Sequence, residues 1–270
     1  MLSADTQTPY RHSHSDVVAD ILNASDIEYL GGHGFDVIFH MAGLIDVEEG
    51  ERERDLYQAV NVGGTANLLK EFNNTPIIFS STAAVYETSA QPLDENMPTR
   101  PASHYGQTKL DAETIIRENG NPYAILRYFN VAGCATGMKD NHKRVTHLVP
   151  RILKAGGHAT VMGGDYPTRD GTCVRDYVHV QDICDAHVKA AERLLDGQGS
   201  FIANLGSGNG HTVLEVAETA LRVLGHGSIT MSYRRAGDPP SLVADSTLAR
   251  KMLDYNPKYS LEEMIRTHAF

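Results

Sequence analysis

The order of apolar runs in the first half of the chain restricts its fold more than any other sequence feature. Runs typical of buried strands occupy residues 36–40, 77–81 and 123–129. Helical patterns separate them, over residues 55–72 and 103–119. Strands that alternate with helices along a chain indicate an α/β fold with a parallel, doubly wound sheet.

The second half of the chain alternates less regularly. After a loop-rich stretch over 156–171, the pattern predicts a strand at 175–180, a helix at 182–195 and a strand at 201–205. Thr212 with Glu215, and Ser260 with Glu263, have the spacing of capping boxes and predict two more helix starts. Near the beginning, residues 17–22 have a short helical pattern.

Composition excludes several classes of protein. A 41% hydrophobic content in 270 residues is enough for a sizeable core, and the net charge of −10 argues against a nucleic-acid or anionic-membrane surface. No apolar run approaches the roughly 20 residues that span a membrane, and the polar start, residues 1–16, lacks the apolar core of a signal peptide.

The cysteines and histidines favour a cytoplasmic protein without a metal. Cys134, Cys173 and Cys184 have no CxxC spacing and are expected to be thiols in a reducing compartment. His12 and His14 have a spacing that metal ligands can have, but a polar tail is the more common setting for such a pair.

Tyr105 and Lys109 carry the clearest chemical signal. Residues four apart share one face of a helix, so the ammonium group can lie close to the phenol. A tyrosine with a pKa of about 10 is a poor base at neutral pH, whereas a nearby cation favours the phenolate. The same spacing also arises by accident, so the pair alone does not identify a site.

Three hydroxyl side chains precede this pair. Ser80, Ser81 and Thr82 end the run 77–82, which begins with apolar residues. Ligands of open parallel sheets bind beyond the carboxyl ends of the strands, where a hydroxyl could share a substrate oxygen with Tyr105. The alternative is an ordinary exit from a strand into a loop.

From about residue 36 onward the chain resembles the extended short-chain dehydrogenase/reductases, and within them the branch of UDP-hexose 4-epimerases. The blocks that carry the resemblance are Phe39-His40-Met41-Ala42-Gly43-Leu44, Asn61-Val62-Gly63-Gly64-Thr65, Phe79-Ser80-Ser81-Thr82-Ala83-Ala84-Val85-Tyr86, Tyr105-Gly106-Gln107-Thr108-Lys109, Leu126-Arg127-Tyr128-Phe129-Asn130, Asp165-Tyr166-Pro167-Thr168-Arg169-Asp170-Gly171-Thr172, Val174-Arg175-Asp176-Tyr177-Val178-His179-Val180-Gln181-Asp182 and Arg234-Arg235-Ala236-Gly237-Asp238-Pro239.

The resemblance implies a fold and a reaction. The fold is a Rossmann-like doubly wound parallel sheet that lacks its first strands, with a partial NAD-binding domain over 1–130 and, over 131–270, mainly a substrate-binding lobe with returning sheet elements. The reaction is NAD-dependent epimerisation at C4 of a UDP-hexose, which interconverts UDP-glucose and UDP-galactose by hydride transfer and return through a 4-keto intermediate. A homodimer through helices 55–72 and 103–119 is also implied.

The resemblance also assigns roles to residues. Tyr105 is the base and acid, Lys109 positions the nicotinamide ribose and lowers the pKa of Tyr105, and Thr82 is the hydroxyl partner. Cofactor contacts are implied for Met41, Ala42, Gly43, Asn61, Ser80, Lys109, Tyr128 and Phe129. Substrate contacts are implied for Thr82, Tyr105, Asn130, His147, Leu148, Met162, Arg175, Arg235, Asp238 and Leu242.

Among the substrate residues, Arg175 and Arg235 would bind the diphosphate, because guanidinium groups offer planar, multidentate donors. Asp238 would meet the uridine ribose, and Leu242 would limit bulk at the C2 substituent of the sugar, which leaves N-acetylated substrates open. These residues also have alternatives without a binding role. They are a solvated pair of arginines at 234–235, a local ion pair between Arg175 and Asp176, and an Asn130 that only caps a strand.

The chain departs from this family at its start. Relatives begin with a strand and a glycine-rich phosphate loop, whereas residues 16–22 here match the helix just before the fourth strand. The segment Gly31-Gly32-His33-Gly34 precedes a strand and is therefore expected to be a turn. Leu44-Ile45 stands where epimerases usually place a lysine.

Two explanations for this start stay open, an incomplete N-terminus or a short form that needs a partner strand, since strand 36–40 would expose an unpaired edge. Alternative functions are another nucleotide-sugar epimerase and a catalytically silent UDP-sugar-binding fragment. A dehydratase is disfavoured, because Ala83-Ala84 stands where dehydratases have an Asp-Glu pair.

Overall fold

The fold is taken from a computed structural model that describes residues 4–5, 17–89, 91–135, 137–138, 147–235 and 238–269. His12 and His14, and the Ala236-Gly237 pair of the arginine-containing block, lie outside the described residues. Within the described residues, no helix combines the length and the apolar composition that crossing a membrane requires.

The elements of the first half are β1 (Ala4–Asp5), β2 (Val17–Val18), α1 (Ala24–Gly31), β3 (Ile38–His40), α2 (Val47–Arg52), α3 (Arg54–Tyr57), α4 (Gly64–Glu71), β4 (Ile77–Thr82), α5 (His104–Asn119) and β5 (Tyr123–Tyr128). Those of the second half are β6 (Asn130–Ala132), α6 (Leu148–Lys154), β7 (His158–Met162), β8 (Val174–His179), α7 (Val180–Leu195), β9 (Phe201–Leu205), β10 (Gly210–Thr212), α8 (Val213–Leu224), β11 (Ser228–Ser232), β12 (Ser241–Leu242), α9 (Thr247–Leu253) and α10 (Leu261–Ala269).

A four-stranded sheet in the order β3-β4-β5-β9, flanked by helices, confirms the predicted parallel α/β architecture. Strands β3 and β4 run parallel, with Ile38 opposite Ile77 and His40 opposite Phe79. Strand β4 is deeply buried, since Ile77, Ile78 and Phe79 are at most 1% exposed. Among the described strands, β3 lies at one edge of this sheet, the position that the sequence analysis expected for strand 36–40.

The chain divides into two compact units that interleave along the sequence. The first comprises Met1–Val85, Thr99–Leu126 and Ala190–Phe201, and the second comprises Tyr86–Pro98, Arg127–Lys189 and Ile202–Phe270. The division into domains at residue 130 stays a prediction.

The prediction of a helix over residues 17–22 is wrong. Val17–Val18 is a strand that pairs in parallel with β1, and the helix begins only at Ala24. The side chain of Asp20 accepts the N–H of Leu22 at 2.8 Å, a local turn that competes with helical hydrogen bonds. Asn23 then caps α1 by accepting the N–H of Ser25.

The segment 31–34 is a turn, as predicted. Helix α1 ends at Gly31, Gly32 and His33 form the turn, and Gly34 has a φ of 64° before β3 begins. The segment does not open a helix, so it is not a phosphate loop.

The helix predicted over 55–72 exists with an interruption. Between α3 and α4 the residues Gln58–Gly63 form a π-helical turn. Gly64 follows it and packs against Ile21, where a Cβ would come within 2.4 Å of the Ile21 side chain. A π turn widens a helix locally and is frequent at functional sites.

Both predicted capping boxes are present. The hydroxyl of Thr212 accepts the N–H of Glu215 while the Glu215 carboxylate accepts the N–H of Thr212. Ser260 and Glu263 exchange the same pair of bonds at the start of α10.

In the second unit, β8 is the central strand. It pairs with β10, β12 and β6, and a separate two-stranded sheet joins β11 to β7 in parallel. Helices α6, α8 and α10 pack into the core of this unit, which contains Ala132, Val149, Ile152, Ala159, Val161, Tyr177, Val216, Ala217, Ala220, Leu261, Met264 and Ile265.

Candidate active site

Helix α5 holds the Tyr105/Lys109 pair, as the spacing predicted. Ser103 caps the helix by accepting the N–H of Gly106. Gly106 lies against the turn that follows β4, and a Cβ there would come within 2.4 Å of the Ala84 carbonyl oxygen. Glycine therefore lets the first turn of α5 approach the carboxyl end of β4.

Thr82 and Tyr105 meet at this junction. The Thr82 hydroxyl hydrogen-bonds the phenol of Tyr105 and also accepts the N–H of Ala84 at 3.1 Å. Burial raises the pKa of Tyr105, and the Thr82 hydrogen bond opposes that rise. The lowering of this pKa by Lys109 stays a prediction.

Lys109 is a buried cation, only 5% exposed. Its Nζ lies 4.2 Å from the centroid of the Phe79 ring, over the aromatic face. Burial lowers the pKa of Lys109 to about 7, while the carboxylate of Glu113 acts in the opposite direction. The ammonium group therefore titrates near neutral pH.

Asn61 fixes the loop predicted to lie beside the cofactor. Its Oδ1 accepts the N–H of Leu44 at 2.8 Å, and its Nδ2 donates to the Leu44 carbonyl at 3.1 Å and to Thr108 Oγ1 at 3.0 Å. A Cβ on Gly43 would be 3.0 Å from Asn61 Oδ1 and 3.8 Å from Lys109 Nζ. The loop thus comes close to the lysine, and any side chain in place of Gly43 would require a small shift of Asn61.

Three further cofactor residues lie at the carboxyl ends of β3 and β4. Met41 is 58% exposed, Ala42 is exposed, and Ser80 is half-buried on β4. An open loop of small residues next to a buried cation is a suitable cradle for an anionic, ring-bearing cofactor such as NAD, so the residues present fit the group.

Sequence reasoning missed His40 as part of this network. Its Nε2 lies 2.8 Å from Thr65 Oγ1, and that hydroxyl donates to the Asn61 carbonyl at 2.6 Å. Because the hydroxyl proton is used, the imidazole must be the donor in the first bond. Burial, and secondly the charge of Lys109, lower the pKa of His40 to about 3, so the ring is neutral.

In the second unit, three of the predicted substrate residues come together. Arg175 Nη2 is 3.6 Å from Asp238 Oδ1, and Leu242 of β12 stands opposite Arg175 in the register with β8. Arg175 Nη1 donates to the carbonyls of Val174 and Pro239, which aims the guanidinium.

The alternative ion pair between Arg175 and Asp176 is wrong. The buried carboxylate of Asp176 instead accepts the N–H groups of Ser207, Gly208 and Ala244 and the hydroxyl of Ser207. Successive residues of a strand point to opposite faces, so neighbours along β8 cannot share one ion pair easily.

The two adjacent arginines differ. Arg234 pairs with Asp165, and its guanidinium lies 4.0 Å from the Tyr166 ring centroid. The side chain of Arg235 is exposed and forms no hydrogen bond or ion pair with the described residues.

Met162 stands opposite Ser232 at the end of β7, beside a cleft of about 480 Å³ lined by Gly163, Gly164, Asp165, Ser232, Tyr233 and Arg234.

Four predicted residues occupy other positions in this unit. Phe129 is buried between β5 and β6, and Asn130 begins β6 opposite Tyr177 of β8. His147 is the residue before α6, and Leu148 is its first residue.

Tyr128 has a partner that the sequence did not reveal. Its hydroxyl lies 2.7 Å from His187 Nε2, and His187 Nδ1 lies 2.8 Å from the Ile183 carbonyl. A carbonyl only accepts, so Nδ1 carries the proton and Nε2 accepts the tyrosine hydroxyl. A groove of about 710 Å³ in the second unit, beside Arg169 and Glu215, is lined by none of the predicted site residues.

Comparisons with known proteins agree with this arrangement. The model of the NAD dependent epimerase/dehydratase family matches residues 3–206. A UDP-glucose 4-epimerase of Lactobacillus helveticus is 40% identical over 248 residues, which are 86% of this chain and 75% of the relative. The UDP-glucose 4-epimerase of Halalkalibacterium halodurans is 41% identical over 256 residues, which are 88% of this chain and 76% of the relative.

Solved structures give the same result. The UDP-glucose 4-epimerase from Brucella ovis in complex with NAD superposes with a TM-score of 0.92 at 35% identity, covering 98% of this chain and 88% of that one. The enzyme from Stenotrophomonas maltophila with bound NAD and formylated UDP-arabinopyranose also has a TM-score of 0.92, at 31% identity, with the same coverage of both chains.

Proposed function

The chain belongs to the NAD dependent epimerase/dehydratase family, and on this premise we propose that it interconverts UDP-glucose and UDP-galactose by epimerisation at C4. The observation that supports the proposal most strongly is the junction of β4 and α5. There the Thr82 hydroxyl hydrogen-bonds the Tyr105 phenol, and the buried Lys109 follows about one turn later on the same helix.

In this proposal Tyr105 takes the proton of the sugar 4-hydroxyl and later returns it. The Thr82 hydroxyl orients the phenol and stabilises its ionised form, as hydrogen bonds to a charged group do. Lys109 holds positive charge in the same buried region. A base works best when its pKa lies near the working pH, so the raised pKa of Tyr105 must fall when the site is filled.

NAD, when bound, would accept a hydride from C4 of the sugar and return it to the same carbon. The residues that would hold it are Met41, Ala42, Gly43, Asn61, Ser80, Lys109, Tyr128 and Phe129. Asn61 contributes indirectly, because it fixes the backbone of the Gly43-Leu44 loop.

The second unit binds the nucleotide part of the substrate in this proposal. Arg175 and the exposed Arg235 bind the diphosphate, Asp238 meets the uridine ribose, and Asn130, His147, Leu148 and Met162 complete the binding residues. Leu242, which stands opposite Arg175 in the strand register, limits the substituent at C2 of the sugar in this proposal. N-acetylated substrates are included in the proposal as a second class to be tested.

We also propose a homodimer in the cytoplasm. The three cysteines are free thiols, which suits a reducing compartment. Leu56 of α3 is 47% exposed on the helical stretch proposed as a dimer interface. Light scattering on the purified protein measures the mass directly.

The test of the function combines turnover with binding. We expect the protein to convert UDP-galactose to UDP-glucose in the presence of NAD, and calorimetry to detect binding of both UDP and NAD. Binding of UDP without binding of NAD and without conversion would instead support a silent UDP-sugar-binding protein.

A further inference from the structure

Three side chains follow each other along one face of α5, and the last two of them are buried. Tyr105, Lys109 and Glu113 are spaced four residues apart, and four residues are slightly more than one helical turn. Lys109 is 5% exposed and Glu113 is 1% exposed. A phenol, an ammonium group and a carboxylate are therefore arranged in that order, each one turn from the next.

The carboxylate of Glu113 is held in place from the sheet. The hydroxyl of Ser81 on β4 donates to Glu113 Oε1 at 2.5 Å, and Ser81 is itself only 2% exposed. Hydrogen bonds to an ionised acceptor are short and strong, so this geometry suits a charged carboxylate. Ser81 lies next to Thr82, so two adjacent residues of β4 hydrogen-bond the first and the last of the three side chains, Tyr105 and Glu113.

The charge of Lys109 depends on its surroundings. Burial disfavours the ammonium form and lowers its pKa to about 7, whereas Glu113 is the neighbour that raises it. His40 faces Lys109 from β3 as a neutral ring, Phe79 lies under the ammonium from β4, and Tyr105 precedes it on the helix. Among these neighbours, Glu113 alone carries negative charge when Tyr105 is protonated.

We infer that Glu113 is a positioning residue, which keeps Lys109 in its ammonium form and, through Lys109, favours the ionised form of Tyr105. Glu113 does not cap the helix, because the N-cap of α5 is Ser103 and its C-cap is Gly120. Formation of the helix therefore does not explain why Glu113 is buried and hydrogen-bonded to Ser81. The effect of Glu113 on catalysis by Tyr105 rests on the proposed function. Its effect on the charge of Lys109 does not.

The experiment measures the titration of Lys109 directly, by NMR of protein labelled with ¹³C at lysine Cε, with Lys109→Arg to assign the resonance. We expect the midpoint to be highest in the wild type, lower in Glu113→Asp and lowest in Glu113→Gln, with a total decrease of at least about one pH unit. The aspartate variant moves the carboxylate away by about one C–C bond length, ~1.5 Å.

Glu118→Gln is the matched control, since the same chemical change is made on the same helix at an exposed position. It should leave the Lys109 midpoint unchanged. Should the glutamine variant fail to fold, the aspartate variant alone decides. Equal midpoints in the wild type and in every folded Glu113 variant would overturn the inference.

Activity gives a second readout that a merely structural role would not move. As the pH is raised, kcat of Glu113→Gln should begin to fall at a lower pH than kcat of the wild type, because Lys109 loses its proton earlier. The shift of the kcat profile should equal the shift of the Lys109 midpoint measured by NMR. An unchanged pH profile with a uniformly lower kcat would contradict the inference. The NMR titration needs neither NAD nor turnover, so it remains decisive for a protein that proves to be catalytically silent.

Discussion

The side chain of Asn61 holds the backbone of Leu44 by two hydrogen bonds, one to its N–H at 2.8 Å and one to its C=O at 3.1 Å. Asn61 belongs to the π-helical turn between α3 and α4, and Leu44 follows the glycine that approaches Lys109. This relationship connects a local irregularity of a helix to the loop at the carboxyl end of β3.

Replacement of Asn61 by aspartate tests this clamp. The carboxylate can still accept the N–H of Leu44, but it loses the donors to the Leu44 carbonyl and to Thr108 Oγ1. Leaving buried acceptors unsatisfied costs about 1–3 kcal/mol, so we expect the free energy of unfolding in urea to fall by this amount. Asn73→Asp, on an exposed residue, is the control, and equal losses in both variants would argue against the clamp.

Gly106 tests the close approach of α5 to β4. A Cβ there would meet the Ala84 carbonyl oxygen at 2.4 Å, so Gly106→Ala should lower the free energy of unfolding by about 1–3 kcal/mol. It should also reduce turnover, because Tyr105 is the preceding residue. Gly63→Ala meets no atom within 4 Å and should be neutral or slightly stabilising. The prediction fails if thermal unfolding shows both variants to be alike.

His40 predicts a particular dependence of stability on pH. Its folded-state pKa of about 3 lies below the usual 6.5, so between these values the unfolded chain binds the extra proton. Stability from this group is complete above pH 6.5 and decreases as the pH falls toward 3, with a slope of at most about 1.4 kcal/mol per pH unit. In His40→Gln this part of the acid slope should disappear, while exposed His33→Gln should retain it. Identical slopes in all three proteins would show that His40 is not held neutral.

Arg175 tests the nucleotide site of the second unit. Its guanidinium is aimed by two backbone carbonyls, a geometry that a lysine cannot reproduce. We therefore expect Arg175→Lys to weaken UDP binding about tenfold or more in calorimetry, although the charge is kept. Arg222→Lys, exposed in the same unit, should bind UDP normally. Undiminished affinity in Arg175→Lys would remove the residue from the site.

The parts of the site that sequence predicted are those fixed by local geometry. Tyr105 and Lys109 share a helix face because of their spacing, and Thr82 ends an apolar strand, so neither placement needed knowledge of distant residues. Asn61 with Leu44, and Ser81 with Glu113, are 17 and 32 positions apart, and only the packed fold shows that they meet.

Local rules also caused the errors. The helical pattern over 17–22 ignored the ability of Asp20 to close a turn on Leu22. The adjacent charges of Arg175 and Asp176 suggested an ion pair, whereas the carboxylate is satisfied by backbone N–H groups from Ser207, Gly208 and Ala244. In both places a side chain bonds the backbone, an interaction that charge and periodicity do not reveal.

The central claim is that Tyr105 performs the proton transfer of a UDP-hexose epimerisation. Its most direct test is the turnover of UDP-galactose by Tyr105→Phe, with exposed Tyr29→Phe as the control. Removal of a general acid–base group typically lowers kcat about 10²- to 10⁴-fold, so we predict a loss in this range for Tyr105→Phe with UDP binding intact and no loss for the control. Turnover by Tyr105→Phe within about twofold of the wild type, far inside that range, would contradict the account.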